Sequence, residues 1–349
     1  MGVVKKDIRQ QSLEGLSQFF KENGVPAFKA KQVFQWLWQK ACLNFEEMTN
    51  LSKSTRTLLT ENFEIPYLNI AHRQDSKDGT VKVGFKLCDA NLVEGVLIPV
   101  AKNNRMTACI SSQVGCSLSC KFCATGFLKR ERNLFAHEIY DQVQQLNNIA
   151  LQKFEVPLTN IVFMGMGEPL LNYKNVMQGI FYLTDEKAMG LSTRRITIST
   201  AGIAKMIHRM ATDKIKVNLA LSLHAAIDEK RNAIMPINEQ NSLTALTEAL
   251  IDFKTQCPRS NLTYEYILLN RFNDGLEDAK QLAKFVKKVP AKVNIIEYNK
   301  VEGTAFEKAD NNTLNQFINV LVKNEVTVTV RKSRGEDIDA ACGQLANKV

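Results

Sequence analysis

The spacing of apolar positions changes twice along the chain. Early on, Phe19, Phe20, Val33, Phe34, Leu37 and Trp38 stand in a polar background broken by Asn23-Gly24 and Pro26, a spacing that predicts short helices over residues 1–64. From Pro66 the texture becomes strand-like, with TVKVGFKL and LVEGVLIP separated by Cys88-Asp89-Ala90-Asn91. Val81, Val83, Phe85 and Leu87 alternate with Lys82, Gly84 and Lys86, the period of a half-buried strand. This predicts a small antiparallel β extension over 65–104. Residues 105–349 then alternate strand and helix patterns. TACISS, NIVFMGM, RITIST, VNLALSL, TYEYILL, VNIIEY and VTVTVR are separated by helical stretches such as Ile139, Val143, Leu146 and Ala150. That alternation predicts an α/β core with a parallel sheet and right-handed crossovers, open or rolled into a barrel, its ligand at the C-terminal strand ends.

Composition narrows the class. The 349 residues are 45% hydrophobic and 23% charged, with 17 Gly and 8 Pro, which excludes collagen-like and largely disordered chains. No apolar run reaches the ~18 residues of a membrane span. The first residues, MGVVKKDIRQQSLEGL, lack the apolar stretch of a signal peptide, so the expected location is the cytoplasm. Thiols stay reduced there, and the eight cysteines are expected to be ligands, catalysts or core residues.

Three of them, Cys116, Cys120 and Cys123, share the segment VGCSLSCKFCATG after the first strand of the alternating region. Three thiolates on one short loop suit three corners of a cubane iron–sulfur cluster, whose fourth iron stays open to a small ligand. A structural zinc wants four ligands, commonly two separated pairs, and no second pair follows; small core residues are the remaining reading. Gly165-Met166-Gly167-Glu168-Pro169 ends the strand NIVFM. Its glycines admit close backbone approach and Glu168 can accept from an ammonium, although such a turn is also ordinary strand-end chemistry. Ser199 in ISTAG and Ser222-Leu223-His224 in LALSLH end the next two strands.

The Cys-x3-Cys-x2-Cys spacing, with Phe122 before the last cysteine, resembles the signature of the radical S-adenosylmethionine enzymes. The resemblance implies a partial (βα)6 TIM-like barrel and a 4Fe-4S cluster held by Cys116, Cys120 and Cys123. The open iron would chelate S-adenosylmethionine, whose cleavage yields a 5′-deoxyadenosyl radical. Gly167 and Glu168 would then meet the methionine amino group, and Ser199, Ser222, Leu223 and His224 would line the cofactor site.

SSQVGC, FMGMGEPL, MPIN and DIDAACGQL, spread from residue 90 to the end, resemble more narrowly the RlmN/Cfr family of RNA methyltransferases. In that family's chemistry Cys342 would take a methyl group from one S-adenosylmethionine. A radical from a second would abstract hydrogen from it, and the methylene radical would add to an adenine. Cys109 would release the product by forming a disulfide with Cys342. Glu94 in VEGVLIP matches the proton acceptor; a surface carboxylate on an edge strand is the alternative. Asn299 in IIEYNK matches a cofactor contact, with Lys300 where proline is common. Cys42, Cys88 and Cys257 carry no motif and are expected in the core. The implied substrates are an adenosine of the peptidyl-transferase centre of 23S rRNA and the adenosine 3′ of the tRNA anticodon, both methylated at carbon 2. Cfr-like methylation at carbon 8 and a non-catalytic metal-containing RNA-binding module are the alternatives. A flavodoxin-type electron donor is implied; a membrane or stable protein partner is not.

The net charge of +9 is uneven. Lys102, Arg105, Lys121, Lys129, Arg130 and Arg132 against Glu131 give +5 over residues 101–135. Arg194, Arg195, Lys205, Arg209, Lys214 and Lys216 against Asp213 give +5 over 190–216. Position in the sequence puts both clusters beside the expected active site, where they would contact RNA phosphates. The N-terminal unit, with Lys29, Lys31, Trp36 and Trp38, is a further expected RNA-facing surface, although both tryptophans also suit a core.

Overall fold

The computed structural model of the protein describes residues 5–100 and 104–347. Strand β1 (Lys6–Asp7) pairs in parallel with β2 (Phe63–Glu64) and closes a unit of three helices, α1 (Leu13–Glu22), α2 (Lys29–Trp38) and α3 (Lys53–Asn62). Serines cap two of them: the Ser12 and Ser52 hydroxyls accept from Gly15 N and Thr55 N. Trp38 is buried and stacks on Tyr182, ring centroids 3.6 Å apart. It is therefore a core residue joining this unit to the rest of the chain, and does not face RNA. Trp36 is half-buried and donates from Nε1 to Asn50 Oδ1. Two polar ties join the same units, Arg9–Asp141 at 2.7 Å and His137–Asp7 at 3.2 Å.

Strands β3 (Asn69–Asp75), β4 (Val81–Lys86) and β5 (Leu92–Val100) form an antiparallel extension. Its β5 pairs with β6 (Arg105–Cys109), so extension and core share one ten-stranded sheet. Burial departs from the expected alternation in β4: Lys82 and Gly84 are buried as well as Val81, Val83 and Phe85, because His72 lies over Gly84, and Lys82 faces Glu94, to which the chain's C-terminal segment is bonded. The third strand, β3, has little apolar patterning and is largely exposed at the sheet edge, which is why periodicity did not reveal it.

A two-residue ladder, β7 (Gln113–Val114) with β8 (Arg132–Asn133), closes the cysteine loop before α4 (Ala136–Phe154). The rest follows as β9 (Asn160–Phe163), α5 (Tyr173–Thr184), β10 (Ile196–Thr200), α6 (Ala204–Thr212), β11 (Asn218–Ser222), α7 (Asp228–Ile234), α8 (Leu243–Gln256), β12 (Leu262–Leu268), α9 (Leu276–Lys288), β13 (Lys292–Glu297), α10 (Asn311–Lys323) and β14 (Val328–Arg331). Strand order β6-β9-β10-β11-β12-β13-β14 is parallel throughout: seven strands, six helical crossovers, an open barrel. Ile139, Val143, Leu146 and Ala150 on α4 are fully buried, each larger side chain contributing ~1.5–3 kcal/mol. Outward strand positions such as Ile198, Leu219, Leu221 and Val293 are buried under helices. Inward ones such as Thr197, Ser199, Ser222, Thr263 and Asn294 are half-buried and polar. This barrel has a polar interior.

Residues 332–347 cross the open side as a strap. Ser76 Oγ donates to Asp337 Oδ1 (2.6 Å) and Gly335 N to Asp78 Oδ2 (3.2 Å), fixing the strap to the β3–β4 turn. Further on, Ala124 N donates to Gly343 O (2.7 Å) and Thr125 Oγ1 to Leu345 O (2.6 Å), fixing it to the cysteine loop.

Candidate functional site

One cavity at the C-terminal strand ends is lined by Cys116, Cys120 and Cys123, by Gly167 and Glu168, by Ser199, Ser222 and His224, and by Cys342. Five separate chain segments thus supply residues that the sequence marked singly. Gly115 has φ +70°, and a Cβ there would lie 2.1 Å from Lys129 O; only glycine lets the ends of the cysteine loop touch. Gly167 has φ +89° with Gln113 Cβ where its own Cβ would point. Gln113 Oε1 in turn accepts from Glu168 N (2.8 Å).

The three cysteines are half-buried. Burial, opposed by backbone hydrogen bonds from Leu118 and Ser117 and helped by repulsion from Cys123, pushes Cys116 up to about 11. Burial and the charges of Cys123 and Cys116 push Cys120 up as well. A bound cation reverses such shifts. Among the described residues, no three His, Cys, Asp or Glu side chains converge on the position of a single metal ion. Cysteines that each ligate a different iron of a cubane need not converge on one point, so this donor set fits a cluster better than a zinc.

Glu168 is buried, its Oε2 accepting from Ala201 N (2.7 Å) and its Oε1 from Leu170 N (3.0 Å). Burial pushes its carboxyl up to about 7 against these bonds, and an ammonium beside it would hold it charged. Ser199 and Ser222 hydroxyls lie 3.3 Å apart. His224 sits at φ +58°, its Nδ1 accepting from Ile267 N (3.0 Å), which leaves the ring proton on Nε2. Burial, reinforced by Arg231, holds the imidazole down to about 3, so it is neutral. Phe122 packs edge-on against it, centroids 4.8 Å apart.

Other marked residues sit just outside the cavity lining. Leu223 is fully buried, its carbonyl accepting from Arg231 Nε. Asn299 is buried and its Nδ2 reaches Cys342 O at 3.5 Å. Cys109, at the end of β6, is buried. Burial pushes its thiol up to about 12, a charge on Cys342 pushes the same way, and Arg331 opposes both. All eight cysteines are free, Cys342 is exposed, and Cys42 and Cys257 are buried. Cys88 is exposed instead of core, because it begins the β4–β5 turn. Glu94 is fully buried on β5, an interior strand of the shared sheet, which removes the edge-strand alternative.

Arg331 and Glu265 were missed. Both line the cavity, paired Nη1 to Oε2 at 3.0 Å. The available signal was their position on the inner face near the C-terminal ends of strands. Arg231 was missed as well: fully buried, it donates to Asn238 Oδ1 and to the carbonyls of Ala201, Ser222 and Leu223. Asn238 belongs to MPIN, so that motif holds the strand-end scaffold.

The basic clusters divide by strand direction. Lys121, Lys129 and Arg130 are exposed on the loop that carries the cysteines. Arg132 is engaged by Asp89 and Glu138. Arg105 opens β6, and Arg194, Arg195, Lys214 and Lys216 precede the N-terminal ends of β10 and β11, so they lie at the barrel end opposite the cavity. Sequence proximity to a strand does not say which end of it is near. Lys102 lies outside the described residues.

Comparison with known proteins agrees with this geometry. Residues 6–65 match the ribosomal RNA large subunit methyltransferase N-terminal domain, and residues 110–286 the radical SAM superfamily. A Cytophaga hutchinsonii protein named "Probable dual-specificity RNA methyltransferase RlmN" is 54% identical, covering 99% of this chain and 94% of the relative. A Christiangramia forsetii protein of the same name is 52% identical, covering 99% and 97%. The crystal structure of a radical SAM methyltransferase from Sphaerobacter thermophilus superposes with a TM-score of 0.90 at 34% identity, covering 98% of this chain and all of that one. Taken with the cavity that gathers the cysteine loop, the Gly-Glu turn and Cys342, these likenesses show that the chain belongs to the RlmN family of the radical S-adenosylmethionine superfamily.

Proposed function

We propose that this chain methylates carbon 2 of a specific adenosine in 23S rRNA and of the adenosine 3′ of the tRNA anticodon, through a methyl group carried on Cys342. The observation that carries this reading is Cys342 itself: it lines the cavity of the three loop cysteines, on a strap hydrogen-bonded to the next residues of their loop. A structural metal site would have no use for that thiol. Carbon 2 of adenine is electron-poor and does not displace a methyl group from a sulfonium, which is why an intermediate carrier is needed.

When bound, the cluster and S-adenosylmethionine would supply the methyl group and the radical that activates it, and the cluster would take up the odd electron left once the carbon has joined the base. Cys116, Cys120 and Cys123 hold the cluster, Glu168 and the Gly167 turn receive the methionine ammonium, and His224 with Ser199 and Ser222 lines the remainder. Asn299 steadies the backbone of Cys342. The Cys342 sulfur gives up its proton and accepts the methyl, then carries the activated carbon to the base. Glu94 takes the ring proton. Cys109 attacks the Cys342 sulfur, the sulfur–carbon bond breaks, the carbon takes a proton and leaves as methyl, and an external electron donor of the flavodoxin type reduces the resulting disulfide. The polar, half-buried barrel interior suits a base extruded from RNA. The helical unit over 1–64 and the extension over 65–104 act as accessory parts to the core over 105–349. No helix among the described residues is long and apolar enough to cross a membrane, and we place the protein in the cytoplasm without a stable protein partner.

The deciding experiment incubates reconstituted protein, S-adenosylmethionine, reductant and RNA, then reads the methylated carbon by mass spectrometry. Methyl at carbon 2 supports the assignment, and methyl at carbon 8 overturns it. Cys342→Ala is expected to cleave S-adenosylmethionine reductively yet leave RNA unmethylated.

A further inference from the structure

Glu94 divides its carboxylate between two parts of the chain. Its Oε2 accepts from two successive strap amides, Ala346 N at 2.9 Å and Asn347 N at 3.1 Å. Its Oε1 makes no hydrogen bond and faces two cationic or potentially cationic groups, Lys82 Nζ at 3.6 Å and His72 Nε2 at 3.9 Å. Register explains the cluster: His72, Gly84 and Glu94 form one row across β3, β4 and β5, and the absent side chain of Gly84 makes room for the imidazole. Lys82, Val96 and Cys109 form the adjoining row on the same face. Glu94 is fully buried and Lys82 nearly so, and polar side chains are buried in this way where they face one another.

We propose that Glu94 is a positioning residue for Cys342, holding the far end of the strap so that the thiol stays over the cavity. Cys342 lies four residues before Ala346, between the Glu94 anchor and the anchor of Asp337 on Ser76. The carbonyls of Gly343 and Leu345 are bound by the cysteine loop within that span. Two amides converging on one carboxylate oxygen are charge-assisted donors, stronger than neutral ones. Asn347 adds an Nδ2 bond to Leu92 O (2.8 Å) beside its backbone bond to Glu94. The extension thereby acquires a purpose, as the seat on which the segment bearing Cys342 is fastened. This inference rests on the reading of Cys342 as methyl carrier.

The test uses the full chain without RNA. Hydrogen exchange of the Ala346 and Asn347 amides is measured in the wild type, Glu94→Ala and Glu94→Gln. Loss of the charge-assisted acceptor is expected to speed exchange on the order of tenfold or more in Glu94→Ala, with Glu94→Gln in between because its amide oxygen still accepts. Asn347→Pro disturbs the anchor from the strap side, removing the backbone donor to Glu94, the Nδ2 bond to Leu92 O and the positive φ, and is expected to speed exchange of Ala346 likewise. In parallel, intact mass with S-adenosylmethionine and reductant follows methylation of Cys342, which is expected to slow in Glu94→Ala and Asn347→Pro and to be rescued in part by Glu94→Gln. Unchanged exchange in both Glu94→Ala and Asn347→Pro overturns the anchor. Faster exchange with unchanged methylation overturns its role in placing Cys342. Absence of Cys342 methylation in the wild type would defeat the carrier reading instead, while exchange still decides the anchor.

Discussion

Arg331 and Glu265 form an ion pair across the barrel mouth, Nη1 to Oε2 at 3.0 Å, with the two thiols Cys109 and Cys342 beside the guanidinium. Glu265 is buried and also accepts from Asn294 Nδ2 (2.7 Å), whereas Arg331 keeps a third of its side chain exposed. Glu265 thus holds a cation where the sequence showed only the last residue of an apolar strand.

Glu265→Leu removes both acceptors and leaves Arg331 without its carboxylate. The expected loss is about 2 kcal/mol, less than for a fully buried pair because the guanidinium reaches water. Glu265→Gln keeps one acceptor oxygen and should cost less. Thermal unfolding and the RNA methylation rate together check this, and equal stability of both variants with wild type would remove the pair's importance.

Cys109 is buried with its thiol pushed up to about 12, whereas Cys342 is exposed. Iodoacetamide at pH 8 should therefore modify Cys342 well before Cys109, as read by peptide mass spectrometry. Cys109→Ala is expected to accumulate a covalent protein–RNA adduct visible on a denaturing gel. Clean turnover by that variant would deny Cys109 its releasing role.

The tie between the helical unit and α4 titrates. Burial, with Arg9 and Arg132 nearby, drops His137 from 6.5 to about 2, so the folded protein keeps it neutral while the unfolded chain protonates. Its contribution is complete above pH 6.5 and is lost as the pH falls through 6.5 toward 2, at about 1.4 kcal/mol per pH unit. Burial, opposed by Arg9, lifts Asp141 from 3.8 to about 6, a contribution present below 3.8 and lost as the pH rises to 6. The two slopes oppose each other in that window. Asp141→Asn should leave a stability that rises with pH between 4 and 6.5, and His137→Phe should abolish that rise, both read by urea unfolding.

Exposed Lys129 and Arg130 flank the cavity on the cysteine loop, whereas Arg194 and Arg195 lie at the opposite barrel end. Lys129→Ala and Arg130→Ala are each expected to reduce the salt dependence of RNA binding by about one phosphate contact. Arg194→Ala with Arg195→Ala should leave the slope unchanged, and a reduced slope there would restore the wider RNA face.

The seven parallel strands and the cysteine loop were legible from period and spacing because both are local: a buried strand repeats over a few residues, and three thiols on one loop need no folding to be neighbours. Cys342, Glu94 and Arg331 are different. They stand on the strap, the extension and the last strand, hundreds of residues apart in two of the pairings, and only the curl of one sheet brings them to one place. The exposure of β3 follows from its place at the sheet edge, and the use of Glu94 as an anchor follows from the strap lying across the extension. The position of the basic residues depended on strand direction in the same way. Chemistry written within one segment can be read from that segment, whereas burial, pairing and the choice of which end of a strand faces the ligand are set by the segments packed against it.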